Sequence, residues 1–233
     1  MIAKQEFRMS WRGLLVTLIF LAYSFSLTTL FLDAFLTGEM PERVWWGLDI
    51  GYMAFMPIFG FLLDPASFRY RREDTYSRKL AEWHTMPIGV GQIIAGRLTV
   101  FLLVLVFNCL LYFGLQYAVL EELRDRIGLA GFFINLLCWF GYGVVTGVMT
   151  IYLELGFSGR DYFNYFCIFF VFGILLTALL LNVFGANAVS FFLESAAEGS
   201  WGTAAAMLAA AAAAVAGFVA LLHRRINRRS FWS

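Results

Sequence analysis

Charged residues are scarce in this chain, and their scarcity limits the classes of protein it can belong to. Only 14% of its 233 residues are Asp, Glu, Lys or Arg, whereas 61% are hydrophobic and the mean hydropathy is +0.75. Soluble domains carry about 25% charged residues, so the composition indicates a membrane protein. The net charge of +1 says nothing about nucleic acid, but no basic face with interleaved aromatic residues appears outside the loops, so we expect no nucleic-acid partner.

Residues that carry catalysis or hold metals are also few. The cysteines Cys109, Cys138 and Cys167 lie inside apolar runs, so we interpret them as small core residues. The two histidines, His84 and His223, have no partner at metal-ligand spacing. The sequence contains no HExxH motif, no Ser/His/Asp arrangement in or near a span and no P-loop. We therefore expect a chain that is not an enzyme by itself and holds no metal or cofactor.

Long apolar runs are what the sequence has instead. A helix needs about 20 mainly apolar residues to cross a membrane, and six segments qualify. They are Gly13–Leu36, Val44–Leu63, Leu98–Leu120, Leu129–Leu153, Tyr162–Val183 and Thr203–Leu222. The sequence therefore predicts an all-α membrane protein whose residues 1–233 form one transmembrane domain of six spans.

The distribution of Lys and Arg predicts the orientation of these spans, because cations concentrate in cytoplasmic loops. With the N-terminus inside, fourteen of the 17 cations fall on the cytoplasmic side. The three on the outer side are Arg43, Arg124 and Arg126, among outer loops that are otherwise acidic. We therefore expect both termini in the cytoplasm.

Two segments outside the spans have patterns of their own. In residues 1–12, Lys4, Arg8 and Arg12 recur at helical spacing beside an apolar face. This favours a helix in the headgroup region, the alternative being an ordinary positively charged flank. Residues 184–202 are too long for a tight turn and too apolar for a solvated loop. An extracellular helical hairpin that dips into the outer leaflet and a plain surface helix fit them equally well.

Polar groups inside the predicted spans are few, and each is costly in hydrocarbon. Asp49 is the only clear acid, about 8 Å from the outer end of the second span at about 1.5 Å per residue. It fits an outward vestibule or substrate path as well as a shallow, hydrated position. Asn108 and Asn135 are more typical of hydrogen bonds between helices, and with Asp49 they are the candidates for a translocation path.

Small residues predict where helices pack closely. Gly-x-x-x-Gly motifs at 47–51 and 143–147 allow backbones to approach one another. Alanine dominates the last span, which therefore suits close packing against neighbouring helices more than ligand binding. Pro57 and Gly60 predict a bend in the second span.

The largest predicted cytoplasmic feature is the segment Asp64–Arg97. It begins with the charged run "RYRREDTYSRK", suited to lipid headgroups or an acidic partner. Leu80, Trp83 and Pro87 then lie on one face of a predicted helix. Pro87 ends this helix. A second apolar face leads into the third span and consists of Val90, Ile93, Ile94 and Leu98. We expect a bent cytoplasmic elbow, with an interfacial re-entry helix as the simpler alternative.

The stretch "EWHTMPIGVGQIIAGR", residues 82–97, resembles a segment of ABC-2-type transporter permeases. In that family an acidic residue precedes a Thr-Leu-Pro-Val-like tetrad, and an Ile/Val-x-x-Gly-Lys/Arg-like stretch opens the third span. The matching positions are Glu82, Thr85, Met86, Pro87, Ile88, Ile93, Ile94, Gly96 and Arg97. Where the family often has Ser-Arg after the tetrad, this chain has Gly89 and Val90. The six-span layout with its N-terminal interfacial helix is also similar, so the likeness covers most of the chain by architecture.

The resemblance implies the transmembrane subunit of an ATP-driven ABC exporter in a plasma membrane, surrounded by membrane lipids. Two permease subunits, identical or homologous, would pair, and each would sit on a separate ABC ATPase subunit that binds ATP and Mg. The segment 64–97 would be the coupling helix. Its contact with the ATPase would be made by Glu82, Trp83, His84, Thr85, Met86, Pro87 and Arg97. The exported substrate would be an amphipathic peptide, drug or lipid-like molecule.

Two other classes of function stay open on the sequence. One is a non-transporting six-span accessory or assembly protein whose elbow docks a different cytoplasmic partner. The other is a membrane enzyme whose polar site the motifs above do not describe. Dependence on an ATPase distinguishes the exporter from both.

Overall fold

The computed structural model describes residues 11–62, 89–157 and 159–228, and every regular element in these ranges is helical. The helices are α1 (Trp11–Leu36), α2 (Trp45–Ile58), α3 (Val90–Val119), α4 (Glu121–Gly156), α5 (Gly159–Phe166), α6 (Gly173–Val183), α7 (Ala188–Ala197) and α8 (Trp201–Arg228). A 3-10 turn at Glu42–Val44 precedes α2, and a π-helical segment, Cys167–Phe172, joins α5 to α6. The described part of the chain therefore has the all-α architecture that its apolar runs predict.

Among the described residues, five helical stretches are long and apolar enough to cross a membrane. They are Gly13–Leu36, Val90–Val119, Glu121–Gly156, Asn164–Val183 and Trp201–Ile226. They correspond to the first, third, fourth, fifth and sixth predicted spans, which are thereby confirmed as long apolar helices. Several long apolar helices in one chain indicate a membrane-embedded protein.

The second predicted span, Val44–Leu63, corresponds to the shorter helix α2 of 14 residues. At about 1.5 Å per residue this helix is about 21 Å long, less than the roughly 30 Å of a bilayer core. Pro57 lies one residue before its end, and a turn follows at Phe59 and Gly60. Pro57 has no backbone N–H to bind the carbonyl oxygen of Met53, and the α-helix ends one residue later. A complete crossing at this position stays a prediction.

Two helices begin well before the predicted spans. The third predicted span begins at Leu98, whereas α3 already begins at Val90, with Gly89 in extended conformation as its N-cap. The fourth predicted span begins at Leu129, next to a break in α4 where Gly128 has a φ of 59°. Residues 121–127 before this break are helical as well. A positive φ is costly for residues with a side chain, so glycine allows the change of direction.

The core lies where α2, α3 and α4 meet. Its largest fully buried side chains include Tyr52, Tyr112 and Trp139. The ring centroid of Tyr52 lies 5.0 Å from that of Trp139 and 6.1 Å from that of Tyr112. The helices around these three, α1, α5–α6 and α8, leave most of their apolar residues at least partly exposed. Exposed apolar helix surface of this extent is typical of contact with lipid or with other membrane helices.

Phe101 on α3 is wedged between two glycines. A Cβ built on Gly147 would lie 2.1 Å from its Cζ atom, and one built on Gly60 would lie 1.9 Å from its Cε2 atom. Gly143 is also close to α3, since its Cβ would lie 3.3 Å from Leu105. The predicted close approach at residues 143–147 is confirmed. In the other motif only Gly51 meets a neighbour, because a Cβ on Gly47 would enter open space.

Helix α8 runs along α4, as the alanine content of the last span predicts. A Cβ on Gly141 of α4 would lie 2.9 Å from the carbonyl oxygen of Met207 on α8. Such a short separation brings the two backbones together without intervening side chains. The predicted packing of this span against a neighbouring helix is therefore confirmed.

The segment 184–202 contains one short helix, α7, between turns where Gly185 and Gly199 have positive φ. Val189, Leu193 and Ala196 on one of its faces are buried, whereas Glu194 and Glu198 are exposed. A Cβ on Gly131 of α4 would lie 2.6 Å from the carbonyl oxygen of Ala196, so α7 is closely applied to α4. Both predicted alternatives, the hairpin that dips into the outer leaflet and the plain surface helix, stay predictions.

Candidate functional site

An ion pair joins the first turns of α3 to the last turn of α4. The Nη2 atom of Arg97 donates to both carboxylate oxygens of Glu154, at 2.9 and 3.0 Å. Glu154 is 3% exposed and Arg97 is 17% exposed. The pair thus fixes the side-by-side arrangement of these two helix ends with a charge-assisted hydrogen bond, which is stronger than a neutral one.

The same guanidinium also faces the chain that follows α2. The Cζ atom of Arg97 lies 5.7 Å from the ring centroid of Phe61, within the range of a cation–π interaction. The Phe61 ring in turn lies 5.2 Å from that of Phe101 on α3. Arg97 therefore contacts elements on both sides of residues 63–88 as well as α4.

The sequence explains why these groups meet. Helix α3 starts at Val90, so Ile93 and Ile94 turn toward the core and are buried, as their predicted apolar face requires. On α4, Ile151, Leu153 and Leu155 are buried around Glu154. An acid in such surroundings needs a cation, because an unpaired buried charge is strongly destabilising. Arg97 supplies that cation.

A second arginine, Arg225 on α8, binds the C-terminal end of α4. The Nε atom of Arg225 on α8 donates to the carbonyl oxygen of Gly156 at 2.7 Å. Its Cζ atom lies 3.8 Å from the ring centroid of Phe157. The last carbonyl groups of a helix have no partner within the helix, and a cation there also suits the helix dipole. The end of α4 is therefore held by α3 and by α8.

Among the residues predicted to contact an ATPase, Arg97 is described by the structure and has the surroundings just given. Glu82, Trp83, His84, Thr85, Met86 and Pro87 lie outside the described residues. The same holds for most of the predicted N-terminal interfacial helix at 1–12 and of the segment 64–97. Their predicted roles stay predictions.

Asp49 caps a helix that lies far from it in the sequence. Its side chain has no exposed surface. One carboxylate oxygen accepts from the backbone N–H of Ala188 at 3.1 Å and the other from that of Val189 at 3.0 Å. Asn187 accepts from the next N–H, that of Ser190. The first N–H groups of α7 thereby obtain partners that the helix itself cannot supply.

Asn108 also binds a helix end. Its Nδ2 atom donates to the carbonyl oxygen of Phe59, just beyond the end of α2, at 2.7 Å. Asn135 is 6% exposed, and its Oδ1 atom has no hydrogen-bond partner among the described residues. In this part of the chain Asp49, Asn108 and Asn135 make no hydrogen bond to one another. Their membership of a translocation path stays a prediction.

A buried polar cluster that the sequence did not point to connects α1, α2 and α3. The hydroxyl of Tyr52 donates to Gln116 Oε1 at 2.9 Å, and Gln116 Nε2 donates to the hydroxyl of Thr28 at 3.2 Å. Thr28 donates its own proton to the carbonyl oxygen of Ser24, so the hydroxyl of Tyr112 donates to Thr28. Buried hydrogen bonds of this kind fix helices relative to one another.

Within the described ranges, no three His, Cys, Asp or Glu side chains come together as a metal site would require. Cys109 and Cys138 are buried free thiols, whereas Cys167 is only half-buried and is not the core residue its sequence context suggests. No protein-family model, no curated protein and no solved structure matches this chain. Its function must therefore be argued from its own residues.

Two of the groups described here were missed by sequence reasoning. Glu154 follows directly after Leu153, where the fourth predicted span ends, so it lies just outside the predicted apolar run. The apolar residues on both sides of it, from Ile151 to Gly156, were the available signal. Gln116 lies inside the third predicted span, so its polarity within an apolar run was the available signal, whereas its partners lie 64 and 88 positions away in the sequence.

Proposed function

We propose that this chain is the membrane subunit of an ATP-driven ABC-2-type exporter. The observation that carries the proposal is the stretch Glu82–Arg97, because it resembles the coupling segment of that family. The exporter would move an amphipathic peptide, drug or lipid-like molecule out across the plasma membrane. Two permease subunits would work with separate ATPase subunits, which would bind ATP and Mg.

The described structure supports this proposal at the end of the stretch. Helix α3 begins directly after the Pro-Ile-Gly sequence, and Ile93 and Ile94 from the family-like positions are buried. Arg97, the last residue of the stretch, is anchored to α4 through Glu154. A segment that transmits movement needs such a firm attachment to the span that follows it.

The working cycle follows from this arrangement. ATP would draw the two ATPase subunits together, and the coupling segments would move with them as levers. Each segment would shift α3 and the helices bound to it, which is a rigid-body transition of the kind that switches transporters between states. Both chain termini would lie in the cytoplasm, as the distribution of cations predicts.

Co-purification with an ATPase tests the proposal. The chain is co-expressed with each ATPase encoded beside it, and the complex is captured in detergent. We expect capture of an ATPase by the parent chain and loss of capture by the double variant Trp83→Ala/Met86→Asp. Trp201→Ala is the control, since Trp201 is an exposed tryptophan at the start of α8, in a predicted outer loop.

The outcomes separate the candidate functions. Capture that the double variant loses and Trp201→Ala keeps would support the exporter. If no ATPase is captured, or if the double variant is captured as well as the parent, the coupling assignment fails. The accessory or assembly protein that docks another cytoplasmic partner then becomes the better explanation.

A further inference from the structure

The Arg97–Glu154 pair is unusual for its position in an apolar helix bundle. Taking both charges out of water costs several kcal/mol per ion, and the attraction between them repays this only with good geometry. A pair of apolar residues of similar volume would stabilise the two helix ends equally well or better. The charges of Arg97 and Glu154 are therefore better explained by the positions in which they hold the two helix ends than by a contribution to the stability of the fold.

The chain contains a second ion pair that serves as a contrast. Arg124 and Glu121 lie three residues apart on α4 with their nearest atoms 3.2 Å apart, and their side chains are 40% and 81% exposed. Exposed pairs of this kind contribute little, and this one joins residues of one helix only. Arg97 and Glu154 are 57 positions apart and join two helices.

Glu154 also reaches a third element through its partner. Arg97 faces Phe61, and Phe61 follows α2 by three residues. Arg97 is the last residue of the segment 64–97 that the exporter proposal assigns to coupling, and Phe61 lies three residues before that segment. The Glu154 carboxylate of α4 is thus linked, through the Arg97 guanidinium, to described residues on both sides of positions 63–88.

We propose that Glu154 is the positioning residue through which movement of the coupling segment reaches α4. Its carboxylate holds the Arg97 guanidinium, and with it the start of α3 and the Phe61 ring, against the last turn of α4. The transmission of movement rests on the proposed function, whereas the holding of the two helix ends does not. The holding of the helix ends and the transmission of movement are tested by separate measurements.

Amide hydrogen exchange of the full chain in detergent tests the holding. The variant Glu154→Gln keeps the shape of the side chain and removes its charge. In this variant we expect amide exchange in residues 90–97 and 150–156 to become on the order of tenfold faster, because hydrogen bonds between charged groups are stronger than neutral ones. Glu121→Gln should leave exchange in both stretches unchanged. The exchanged pair Arg97→Glu/Glu154→Arg should bring the rates back toward those of the parent.

Unchanged exchange in Glu154→Gln overturns the proposal. Size-exclusion chromatography shows which variants are folded. Should Glu154→Gln not fold, Glu154→Asp replaces it: this variant keeps the charge but is shorter by one methylene, and it should show the same faster exchange at both helix ends. Normal exchange in Glu154→Asp would overturn the proposal as well.

ATP hydrolysis by the captured complex tests the transmission. We expect Glu154→Gln to be captured with the ATPase as well as the parent but to hydrolyse ATP at a clearly different rate, with Glu121→Gln as the control. An unchanged rate would show that Glu154 holds the helices without transmitting movement. If the parent captures no ATPase, the proposed function fails, and the exchange measurement still decides whether Glu154 positions Arg97.

Discussion

The hydroxyl of Tyr142 on α4 donates a hydrogen bond over 3.2 Å to the carbonyl oxygen of Met53 on α2. In an uninterrupted helix this carbonyl would accept from the residue four positions later, but that residue is Pro57 and has no N–H. Asn108 donates in the same way to Phe59, just beyond the end of the helix. Side chains of α3 and α4 thus satisfy the backbone groups that the short helix leaves open, as an apolar surrounding requires.

Tyr142→Phe should therefore destabilise the protein by about 1 kcal/mol, the usual size of a hydrogen bond between membrane helices. Reversible unfolding in mixed micelles measures the change. In the background Pro57→Ala the cost should be much smaller, because the N–H of the new alanine can bind the Met53 carbonyl. Equal costs in the two backgrounds would show that Tyr142 does not replace the missing N–H.

Gly147→Ala should destabilise the protein by about 1–3 kcal/mol, because the added methyl group would overlap the ring of Phe101. Gly114→Ala is the control, since a Cβ at this position on α3 enters open space. It should be neutral or stabilising by up to about 1 kcal/mol, since alanine is the better helix former. Thermal unfolding in detergent compares the two. Similar losses in both would contradict the wedge between α3 and α4.

Asp49→Asn should cost about 1–3 kcal/mol, because an amide nitrogen would then face the backbone N–H of Ala188 or Val189. Asp125→Asn, a change of the same kind at an exposed position, should have an effect within about 0.5 kcal/mol. Hydrogen exchange in residues 188–197 should rise in the first variant only. Normal protection of α7 in Asp49→Asn would mean that the carboxylate does not cap it.

Gln116→Leu should destabilise the protein by about 1–2 kcal/mol, since Tyr52 loses its acceptor and Thr28 loses a donor. Tyr52→Phe should cost less in the Gln116→Leu background than in the parent, because both variants remove the same hydrogen bond. Tyr23→Phe, at a residue that is 60% exposed, is the control and should be nearly neutral. Additive losses from Gln116→Leu and Tyr52→Phe would argue against a connected cluster.

The long helices could be predicted because apolar composition over about 20 residues is a local property of the sequence. Five predicted spans are such helices, while the one that contains Pro57 is shorter. The third predicted span begins only at Leu98, because Gln92 and Arg97 interrupt the apolar run, although a helix needs backbone hydrogen bonds and not uniform apolarity. The buried residues Ile93 and Ile94 of α3 were nevertheless predicted from their helical spacing.

Contacts between distant residues could not be predicted from one sequence. Asp49 is predicted to line a vestibule or to lie in a hydrated position, whereas its partners are backbone N–H groups, which every residue except proline carries. The pairing of Arg97 with Glu154 depends on how two antiparallel helix ends meet, 57 positions apart. The π-helical turns at Cys167–Phe172 have no signature in their apolar sequence. Each of these features depends on the tertiary arrangement, which a single sequence does not contain.

The cap on α7 also has a consequence for biosynthesis. Asp49 is synthesised with α2, but its backbone donors come 139 and 140 residues later in the chain. At roughly 5–20 residues per second, the ribosome needs on the order of 10 s or more to make them. During that interval the carboxylate is without its native donors, so the native surroundings of Asp49 are complete only once the C-terminal half of the chain has been made.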